Sequence, residues 1–386
     1  MPELPEVETI KRILEPQIKD RTIKKIRICN PSVIAHPKET EFAEELTDHK
    51  IVSMNRRGKF LIFSLENEAE LILHLRMTGQ LLVTPANYPE EKHTHLILDL
   101  DNENQIRYID VRRFGRFWYI RKGEDRRITG IDKLGLEPFD EMLTEEYLRE
   151  KLSNKKKAMK EILLDQSVIA GIGNIYGDEI LYKAGIHPDS KCCELNDESW
   201  KKLADTIPKV LDYYIDVNQM SPEEYLAGKG KEYRNTPFLN VYGHVGKNCG
   251  ICGSVFEKTI IGGRSSCYCP TCQKIIRKPL LTRQQLIDFG LTFPDTYLDA
   301  PFRDANWQLI RKRKSKKAFL WIYERNDRLC INVKVSPEWR DFWRSVYPSV
   351  QPGYHQNKNH WNTIILDGSV PDEDVRRMIG ESYDLV

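Results

Sequence analysis

Two pairs of cysteines constrain the fold of this chain more than any other feature. Five of its nine cysteines lie between positions 249 and 272, and four of them form two Cys-x2-Cys pairs sixteen residues apart: Cys249, Cys252, Cys269 and Cys272. Each pair can present two thiolates to one tetrahedral ion, and the spacer suits a hairpin. The spacing predicts one Zn2+ ion, which four protein ligands make structural rather than catalytic. Cys267 lacks the paired spacing and is predicted to be a spare thiol.

Length and composition favour several cytosolic domains. A chain of 386 residues with 40% hydrophobic content predicts two or three domains with real cores. No apolar run is long enough to span a bilayer, and the charged start is not a signal peptide, so we expect no membrane association. The net charge of +2 does not by itself indicate a nucleic-acid partner. DNA binding would therefore need local basic patches, for which the candidates are residues 56–59, 112–113, 155–157 and 311–317.

The hydrophobic pattern predicts four domains. Residues 1–132 combine a helix at 3–15 with short strands, which predicts a β-sandwich with a helix at its entrance. Residues 133–242 are mainly helical, residues 243–280 carry the zinc-ribbon hairpin, and residues 281–386 return to an α+β pattern. The predicted strands lie at 23–28, 60–65, 70–75, 95–100, 105–109, 116–120, 307–311, 317–323 and 330–334. Further helices are predicted at 147–152, 158–165, 175–184 and 197–213, and a linker with a short helix at 279–296.

The amino terminus carries a candidate nucleophile. If the initiator Met1 is removed, Pro2 presents a free secondary amine with the Glu3 carboxylate beside it. An α-amino group has a pKa near 8, far below that of a lysine side chain, so much more of it is unprotonated at neutral pH. A secondary amine that condenses with a sugar aldehyde remains a cationic iminium, which is an electron sink for elimination.

A glycine-rich turn and a hairpin tip are candidate phosphate sites. The string IAGIGNIY at residues 169–176 lies between two helical segments. Its glycines allow a tight reversal, and free N–H groups at the start of the next helix attract anions. In the spacer between the cysteine pairs, two glycines precede Arg264, an arrangement that suits close approach to a phosphate.

The opening string PELPEVET at residues 2–9 resembles the amino terminus of formamidopyrimidine-DNA glycosylases, the Fpg/MutM family of repair enzymes. The resemblance covers residues 1–280 and includes four further motifs. RGKFL at 57–61 is similar to the family's RGKYL strand, HLRMTG at 74–79 to HLGMSG, and DVRRFG at 110–115 to DPRRFG. The turn before Asn174 resembles the family's helix–two-turn–helix, whose asparagine holds phosphate.

The resemblance implies roles for individual residues. Pro2 would attack C1′ of an extruded nucleotide, Glu3 would protonate the ring oxygen, Glu6 would assist, and Lys59 would contact phosphate near the lesion. Residues that fill the gap left by the flipped base or bind the DNA backbone would be His74, Met77, Arg112, Phe114, Asn174, Tyr176 and Arg264. An apolar wedge can kink the base step, while an arginine can bond the orphaned partner base.

The implied function is a bifunctional DNA glycosylase and AP lyase of base excision repair. It would remove oxidised purines, 8-oxoguanine and formamidopyrimidines, through a Pro2 Schiff base with β,δ-elimination. The partner would be damaged double-stranded DNA, bound by a monomer in a bacterial-type cytosol. Residues 218–230 depart from the family, because they lack the glycine-rich start of the loop that covers the extruded purine. The alternatives are an endonuclease VIII-like enzyme for oxidised pyrimidines and a non-catalytic DNA-binding protein.

Residues 281–386 extend beyond the usual end of an Fpg protein. Features such as residues 353–358, 360–363 and the closing SYDLV resemble the MmcQ/YjbR family, small α+β domains with a CyaY-like fold that are often described as DNA binding. His355, Lys358, His360 and Trp361 form a mixed basic and aromatic cluster suited to phosphate or stacking, or a loop around a packed tryptophan. Six of the seven residues 311–317 are basic. They predict an accessory DNA-binding patch on one strand face, with a solvated hairpin as the alternative.

Overall fold

The computed structural model describes residues 2–231, 233, 235–275 and 281–386. The described residues form two compact units, the first within Met1–Cys192 and Asp197–Ile275, the second within Cys193–Asn196 and Ile276–Val386. The predicted domain boundaries near 132, 242 and 280 stay a prediction.

The first unit begins with a helix, continues with strands and then mainly helices, and ends with a two-stranded hairpin. Its helices are α1 (Leu4–Ile18), α2 (Glu39–Leu46), α3 (Glu145–Leu152), α4 (Met159–Leu163), α5 (Asn174–Ala184), α6 (Asp197–Val217) and α7 (Pro222–Ala227). Its strands are β1 (Ile23–Ile28), β2 (Ile34–His36), β3 (Ile51–Arg57), β4 (Phe60–Leu65), β5 (Glu70–His74), β6 (Gly79–Pro85), β7 (Thr94–Leu100), β8 (Asn104–Asp110), β9 (Arg116–Ile120), β10 (Glu257–Ile261) and β11 (Arg264–Tyr268).

Two sheets form the predicted β-sandwich. One has the strand order β1-β7-β8-β6, and the other has the order β2-β9-β5-β4-β3. Their pairs are antiparallel except β2 with β9. Buried side chains of both sheets, such as Phe63, Leu81 and Leu98, form one core with the apolar side of α1. The sandwich with its entrance helix is therefore confirmed.

Helix α1 places the amino terminus against this core. Leu4, Val7, Ile10 and Leu14 follow helical spacing and are buried. The Glu3 N–H donates to Glu6 Oε2 at 2.7 Å, which satisfies one of the free N–H groups at the helix start. The helix continues through Pro16 to Ile18, beyond the predicted end at residue 15.

Sequence patterns missed four elements of the sandwich: β2, α2, β3 and β6. In β3 only Ile51 and Met54 are buried, so the period of two is broken. Strand β6 is buried along nearly its whole length and begins at Gly79, so it shows no alternation either. Tertiary packing, rather than local pattern, makes these segments strands.

The helical part ends in the zinc hairpin. Helix α5 starts immediately after Gly173 and packs against α6 and β11. Strands β10 and β11 pair antiparallel around a turn at Gly262 and Gly263. The predicted helical region and ribbon hairpin are confirmed. No helix in the described ranges is long and apolar enough to cross a membrane.

The second unit is a six-stranded sheet packed with helices. Its elements are α8 (Arg283–Leu291), β12 (Thr296–Asp299), β13 (Gln308–Lys312), β14 (Ala318–Arg325), β15 (Arg328–Lys334), α9 (Pro337–Val346), β16 (Val350–Pro352), β17 (Trp361–Ile365) and α10 (Asp372–Asp384). The antiparallel order is β12-β13-β14-β15-β17-β16. Leu286, Ile322, Ile331 and Ile379 belong to its core. The predicted α+β architecture is confirmed.

The basic run at 311–317 does not form one strand face. Strand β13 ends at Lys312 and β14 starts at Ala318, so residues 313–317 form the intervening turn. Arg311 pairs with Asp299 at 2.7 Å, and Arg313 and Lys316 lie over the Tyr297 ring. The hairpin alternative describes this run, because the reversal interrupts the strand alternation.

Candidate active site

Pro2 and Glu6 line a cavity of about 670 Å³ in the first unit. The start of β6 supplies part of the wall, including Met77, Thr78 and Gln80. The opposite wall comes from the segment after α7 and is formed by Gly230, Lys231, Tyr233, Asn235, Thr236, Leu239, Tyr242, Gly243, His244 and Lys247. The chain start and the residues from Gly230 onward therefore meet at one cavity of a size suited to a small organic ligand, and Gly230 is the end of the predicted base-covering region.

Glu3 occupies the amino end of α5. Its carboxylate accepts hydrogen bonds from the N–H groups of Gly173 at 2.8 Å, Ile175 at 2.9 Å and Tyr176 at 3.2 Å. The Leu4 N–H also donates to the Gly171 carbonyl. The anion site predicted for an external phosphate is thus filled by a carboxylate of the chain itself. Charge and hydrogen bonding both favour an anion at a helix start, whichever molecule supplies it.

Two glycines allow this close approach. A Cβ atom on Gly173 would lie 2.3 Å from Glu3 Cδ, and one on Gly171 would lie 2.6 Å from the Leu4 side chain. Gly171 also has a φ of +89°, which favours glycine. The GIG turn therefore receives the amino-terminal segment in addition to reversing the chain.

Glu6 lies in a buried hydrogen-bond network. Its Oε1 accepts bonds from the Tyr176 hydroxyl and from Asn235 Nδ2, the latter at 2.7 Å. Burial and the neighbouring Glu3 charge raise the pKa of Glu6 to about 7, although the bond from Tyr176 opposes this. A carboxyl group with this pKa can exchange a proton at neutral pH beside Pro2.

Lys59 is buried and does not present its charge at the surface. Its Nζ donates to the Ile172 carbonyl at 3.0 Å. Burial lowers the pKa of Lys59, and the charges of Glu3 and Glu6 partly offset this effect. Its phosphate contact stays a prediction, while its position links the β3–β4 turn to the GIG turn.

The neighbouring arginines of the 56–59 patch are neutralised. Arg56 pairs with Glu8 at 2.9 Å and with Glu137 at 2.7 Å, and Arg57 pairs with Glu137 at 2.9 Å. Arg56 is only 9% exposed. Carboxylates distant in sequence therefore compensate most of the charge of this candidate patch.

Asp110 organises the loop that carries two predicted DNA contacts. Its carboxylate accepts bonds from the N–H groups of Arg112, Phe114 and Gly115, at 3.1, 2.9 and 2.9 Å. Burial opposes ionisation of Asp110, but these bonds and those from Thr78 and Tyr108 hold its pKa below the usual value. One ionised side chain therefore fixes the path of residues 110–115.

Met77, Arg112 and Phe114 form one exposed cluster. The Arg112 guanidinium lies 4.5 Å from the Phe114 ring centroid, and its Nη1 lies 3.0 Å from the Met77 sulfur. Met77 and Phe114 are 45% and 46% exposed, which is high for large apolar side chains. Three residues from two loops are thus presented together, as gap filling by intercalation would require.

His74 and Tyr176 are both buried, and their predicted DNA contacts stay a prediction. His74 is 8% exposed, and its Nδ1 accepts a bond from the Arg76 N–H. Burial, with the Arg76 and Lys59 charges, lowers the pKa of His74 to about 3. Tyr176 is fully buried beside Glu6.

Asn174 and Arg264 lie where α5 meets the zinc hairpin. Asn174 Nδ2 donates to the Ser265 carbonyl at 3.1 Å, and Arg264 is exposed at the start of β11. Beneath them, a fully buried ion pair joins Lys160 to Asp178 at 2.6 Å, and the Cys267 N–H donates to Asp178 at 2.9 Å. This charge pair fixes the hairpin against the helix, and sequence patterns did not reveal it.

The four paired cysteines form the zinc site. Their sulfur atoms all lie within 4.8 Å of one another. Cys249 and Cys272 are 3.9 Å apart at sulfur, and Cys252 and Cys269 are 3.4 Å apart. Thiolates bound to Zn2+ at about 2.3 Å stand about 3.8 Å from each other in a tetrahedron, so the donor set fits one structural ion. Cys267 lies outside the cluster, as its spacing predicted.

The atypical residues 218–230 contain a helix. Ser221 Oγ accepts a bond from the Glu224 N–H, and the Glu224 carboxylate accepts one from the Ser221 N–H. Pro222 stands at the first helical position, where its missing N–H has no cost. The string SPEE is a helix-start signal that the sequence interpretation overlooked. Residues 218–235 connect α6 to the cavity wall and are called the cavity segment below. The asparagines at its two ends, Asn218 and Asn235, had no sequence signal at all.

Family models match almost the whole length of the chain. The formamidopyrimidine-DNA glycosylase N-terminal domain matches residues 1–117, and the H2TH domain of the same enzymes matches residues 134–224. A zinc finger found in FPG and IleRS matches residues 246–275, and YjbR matches residues 291–385.

Relatives and solved structures agree with these matches. The formamidopyrimidine-DNA glycosylase of Pelotomaculum thermopropionicum is 39% identical over 275 residues, which cover 71% of this chain and 100% of that protein. The Bacillus subtilis enzyme is 39% identical over 274 residues, which cover 71% of this chain and 99% of that enzyme.

Crystal structures of Lactococcus lactis Fpg with DNA match at a TM-score of 0.65. The complex with Fapy-dG DNA is 36% identical and covers 70% of this chain and 100% of that one. The complex with DNA containing an oxidised pyrimidine is 36% identical and covers 71% of this chain and 100% of that one. Given its sequence, zinc ribbon and fold, the chain belongs to the formamidopyrimidine-DNA glycosylase family, with a YjbR domain at its carboxyl end.

Proposed function

We propose that the protein is a bifunctional DNA glycosylase and AP lyase that removes oxidised purines from damaged double-stranded DNA in base excision repair. The observation that carries this proposal is the position of Pro2 and Glu6 on one cavity, with Glu3 fixed beside them at the start of α5. The protein acts as a monomer in a bacterial-type cytosol, as expected for the family.

The reaction begins at Pro2. Its unprotonated amine attacks C1′ of the extruded nucleotide, and the bond from C1′ to the damaged base breaks, with the electron pair leaving on the base. Glu3 takes up the proton that the Pro2 nitrogen loses after attack and passes it to the ring oxygen as the sugar opens, which leaves an iminium between Pro2 and C1′. The iminium withdraws electrons from the neighbouring carbon, so proton loss there expels the 3′ phosphate and a second elimination expels the 5′ phosphate.

The other residues bind and position. Glu6 exchanges protons beside Pro2, since its pKa lies near 7. Phe114 wedges the base step and Arg112 bonds the orphaned base, as expected of two exposed, adjacent side chains. Asn174 and Arg264 hold the backbone, and the zinc ion bound by the four cysteines keeps the hairpin folded.

Borohydride trapping tests the proposal. Processed protein, with Met1 removed and the new terminus verified by mass spectrometry, is mixed with duplexes carrying 8-oxoguanine, a formamidopyrimidine, an oxidised pyrimidine or an abasic site. We expect a covalent adduct that Pro2→Ala abolishes while DNA binding persists. An adduct retained in Pro2→Ala but lost in Lys59→Arg would move the nucleophile to the buried lysine and contradict the assignment.

A preference for oxidised pyrimidines is the second candidate. The observation that favours it is helix α7, which stands where the family usually has a glycine-rich loop over the extruded purine. The same trapping series decides between the two. Strongest trapping on the oxidised-purine duplexes supports the first candidate, and strongest trapping on the pyrimidine duplex supports the second.

A further inference from the structure

The first part of the cavity segment packs against the β-sandwich. Tyr225 of α7 is buried, and its hydroxyl donates to the Leu81 carbonyl of β6 at 3.2 Å. Met220 and Leu226 pack against the sandwich core. At Gly230 a Cβ atom would lie 2.9 Å from both Leu82 and the Tyr225 hydroxyl, so the chain lies directly against the sheet there.

Two asparagines join the ends of this segment. The Asn235 N–H donates to Asn218 Oδ1 at 3.0 Å, across seventeen positions of sequence. Asn218 is fully buried, and its Nδ2 has no acceptor among the described residues. Burying an amide is unfavourable unless it makes specific bonds, so the Asn218–Asn235 pairing defines the geometry of the segment.

Asn235 also reaches the reaction centre. It is 5% exposed, and its Nδ2 donates to Glu6 Oε1 and to the Tyr176 hydroxyl, both at 2.7 Å. An amide NH2 group has two donor hydrogens, which match these two acceptors. The groups that face Glu6 are Glu3, Tyr176, Lys59 and Tyr233, from four different parts of the chain. Among the described residues of the cavity segment, Asn235 donates directly to the Glu6 carboxylate.

We propose that Asn235 is a positioning residue that couples the cavity segment to Glu6. A base in the cavity would then set the position of the Glu6 carboxylate for base release. Tyr233, Asn235 and Thr236 line the same cavity as Pro2. A nucleobase that displaces this wall therefore moves a side chain bonded to Glu6. An abasic sugar has no base to make that contact, so cleavage at an abasic site does not depend on the coupling.

This inference rests on the proposed function, and the experiment separates the two. Single-turnover rates are measured with full-length processed protein on a duplex containing 8-oxoguanine and on one with a preformed abasic site, across pH 5 to 9. For Asn235→Ala we expect base excision to fall at least tenfold and abasic cleavage to stay within threefold. Loss of a donor to the carboxylate should also move the acidic limb of the excision profile to higher pH.

Matched variants keep the test decisive. Asn55→Ala, an exposed amide on the edge strand β3, should match the wild type on both duplexes. If Asn235→Ala does not fold, the isosteric Asn235→Asp carries the same comparison. Equal losses on both duplexes with an unchanged pH profile, or no loss at all, would overturn the coupling alone. A wild type that cannot be trapped on either duplex would overturn the proposed function and this inference together.

Discussion

The Glu3 carboxylate lies against the backbone of Gly173 so closely that a Cβ atom there would stand 2.3 Å from Glu3 Cδ. The contact joins residues 170 positions apart and brings the chain start to the entrance of α5. The proposed nucleophile is therefore placed by a turn whose glycine has an ordinary negative φ of −133° and is required only for space.

Gly173→Ala should displace Glu3 and abolish trapping. Because the added methyl group overlaps a carboxylate bound by three N–H groups, the steric cost is large, and we expect destabilisation of about 1–3 kcal/mol. Borohydride trapping and urea denaturation measure the two effects. Gly250→Ala is the matched control, since a Cβ atom there meets nothing within 4 Å. Normal trapping by Gly173→Ala would show that Glu3 need not occupy this position.

Phe114→Ala should impair excision without loss of stability. The ring is 46% exposed, so its removal creates no cavity, and we expect the free energy of unfolding to change by less than about 0.5 kcal/mol. Excision from a duplex should fall about tenfold or more, because the wedge in the base stack is lost. Phe139→Ala, a phenylalanine of 42% exposure outside the proposed site, should leave excision unchanged. Equal rates for both variants would contradict the wedge.

Removal of one zinc ligand should release the metal. Cys252→Ser weakens a complete four-sulfur shell, so we expect zinc content to fall from one ion per chain to a small fraction, with loss of DNA affinity through Arg264. Metal analysis of purified protein and a binding titration measure this. Cys267→Ser, in the same hairpin but outside the cluster, should keep one ion. Zinc retention by Cys252→Ser would mean that another group completes the shell.

Titration of Glu6 should lower the free energy of unfolding as pH rises. Its pKa is about 7 in the folded protein against the usual 4.5, so between these values the folded state binds more protons than the unfolded state. The free-energy cost of burying the ionised Glu6 carboxylate is absent below about pH 4.5 and reaches its full value above about pH 7. Glu6→Gln lacks this titration. We therefore expect its stability relative to the wild type to increase by about 2 kcal/mol from pH 5 to pH 8, measured by urea denaturation. A constant difference would refute the raised pKa.

Lys314 and Lys317 test the accessory DNA-binding patch of the second unit. Both are exposed in or beside the β13–β14 turn. If they contact phosphates, changing both to Gln should reduce the slope of log affinity against log salt by about 1–2. Lys201→Gln with Lys209→Gln, the same charge change on exposed positions of α6, is the control. An unchanged slope would leave this turn as solvated surface.

Local patterns predicted most of the architecture. The cysteine spacing predicted the zinc site, because two short pairs determine ligand geometry over few residues. Helical spacing predicted α1, since its buried residues repeat regularly. Helix α5 was also predicted, although nearly all of its residues are buried. Strands β3 and β6 escaped prediction, because one side of β3 is only partly buried and β6 is buried on both sides.

The sequence by itself determined the family, the metal ligands and the residue types offered for chemistry. Only the tertiary structure decided how they are used. It filled the α5 entrance with Glu3 instead of an external phosphate, neutralised Arg56 with Glu8 and Glu137, and buried Tyr176 beside Glu6. It also brought Asn235 to Glu6 across 229 positions. The physical reason is that charges and hydrogen bonds act through space, so a residue's partners are set by packing between segments that are distant in sequence.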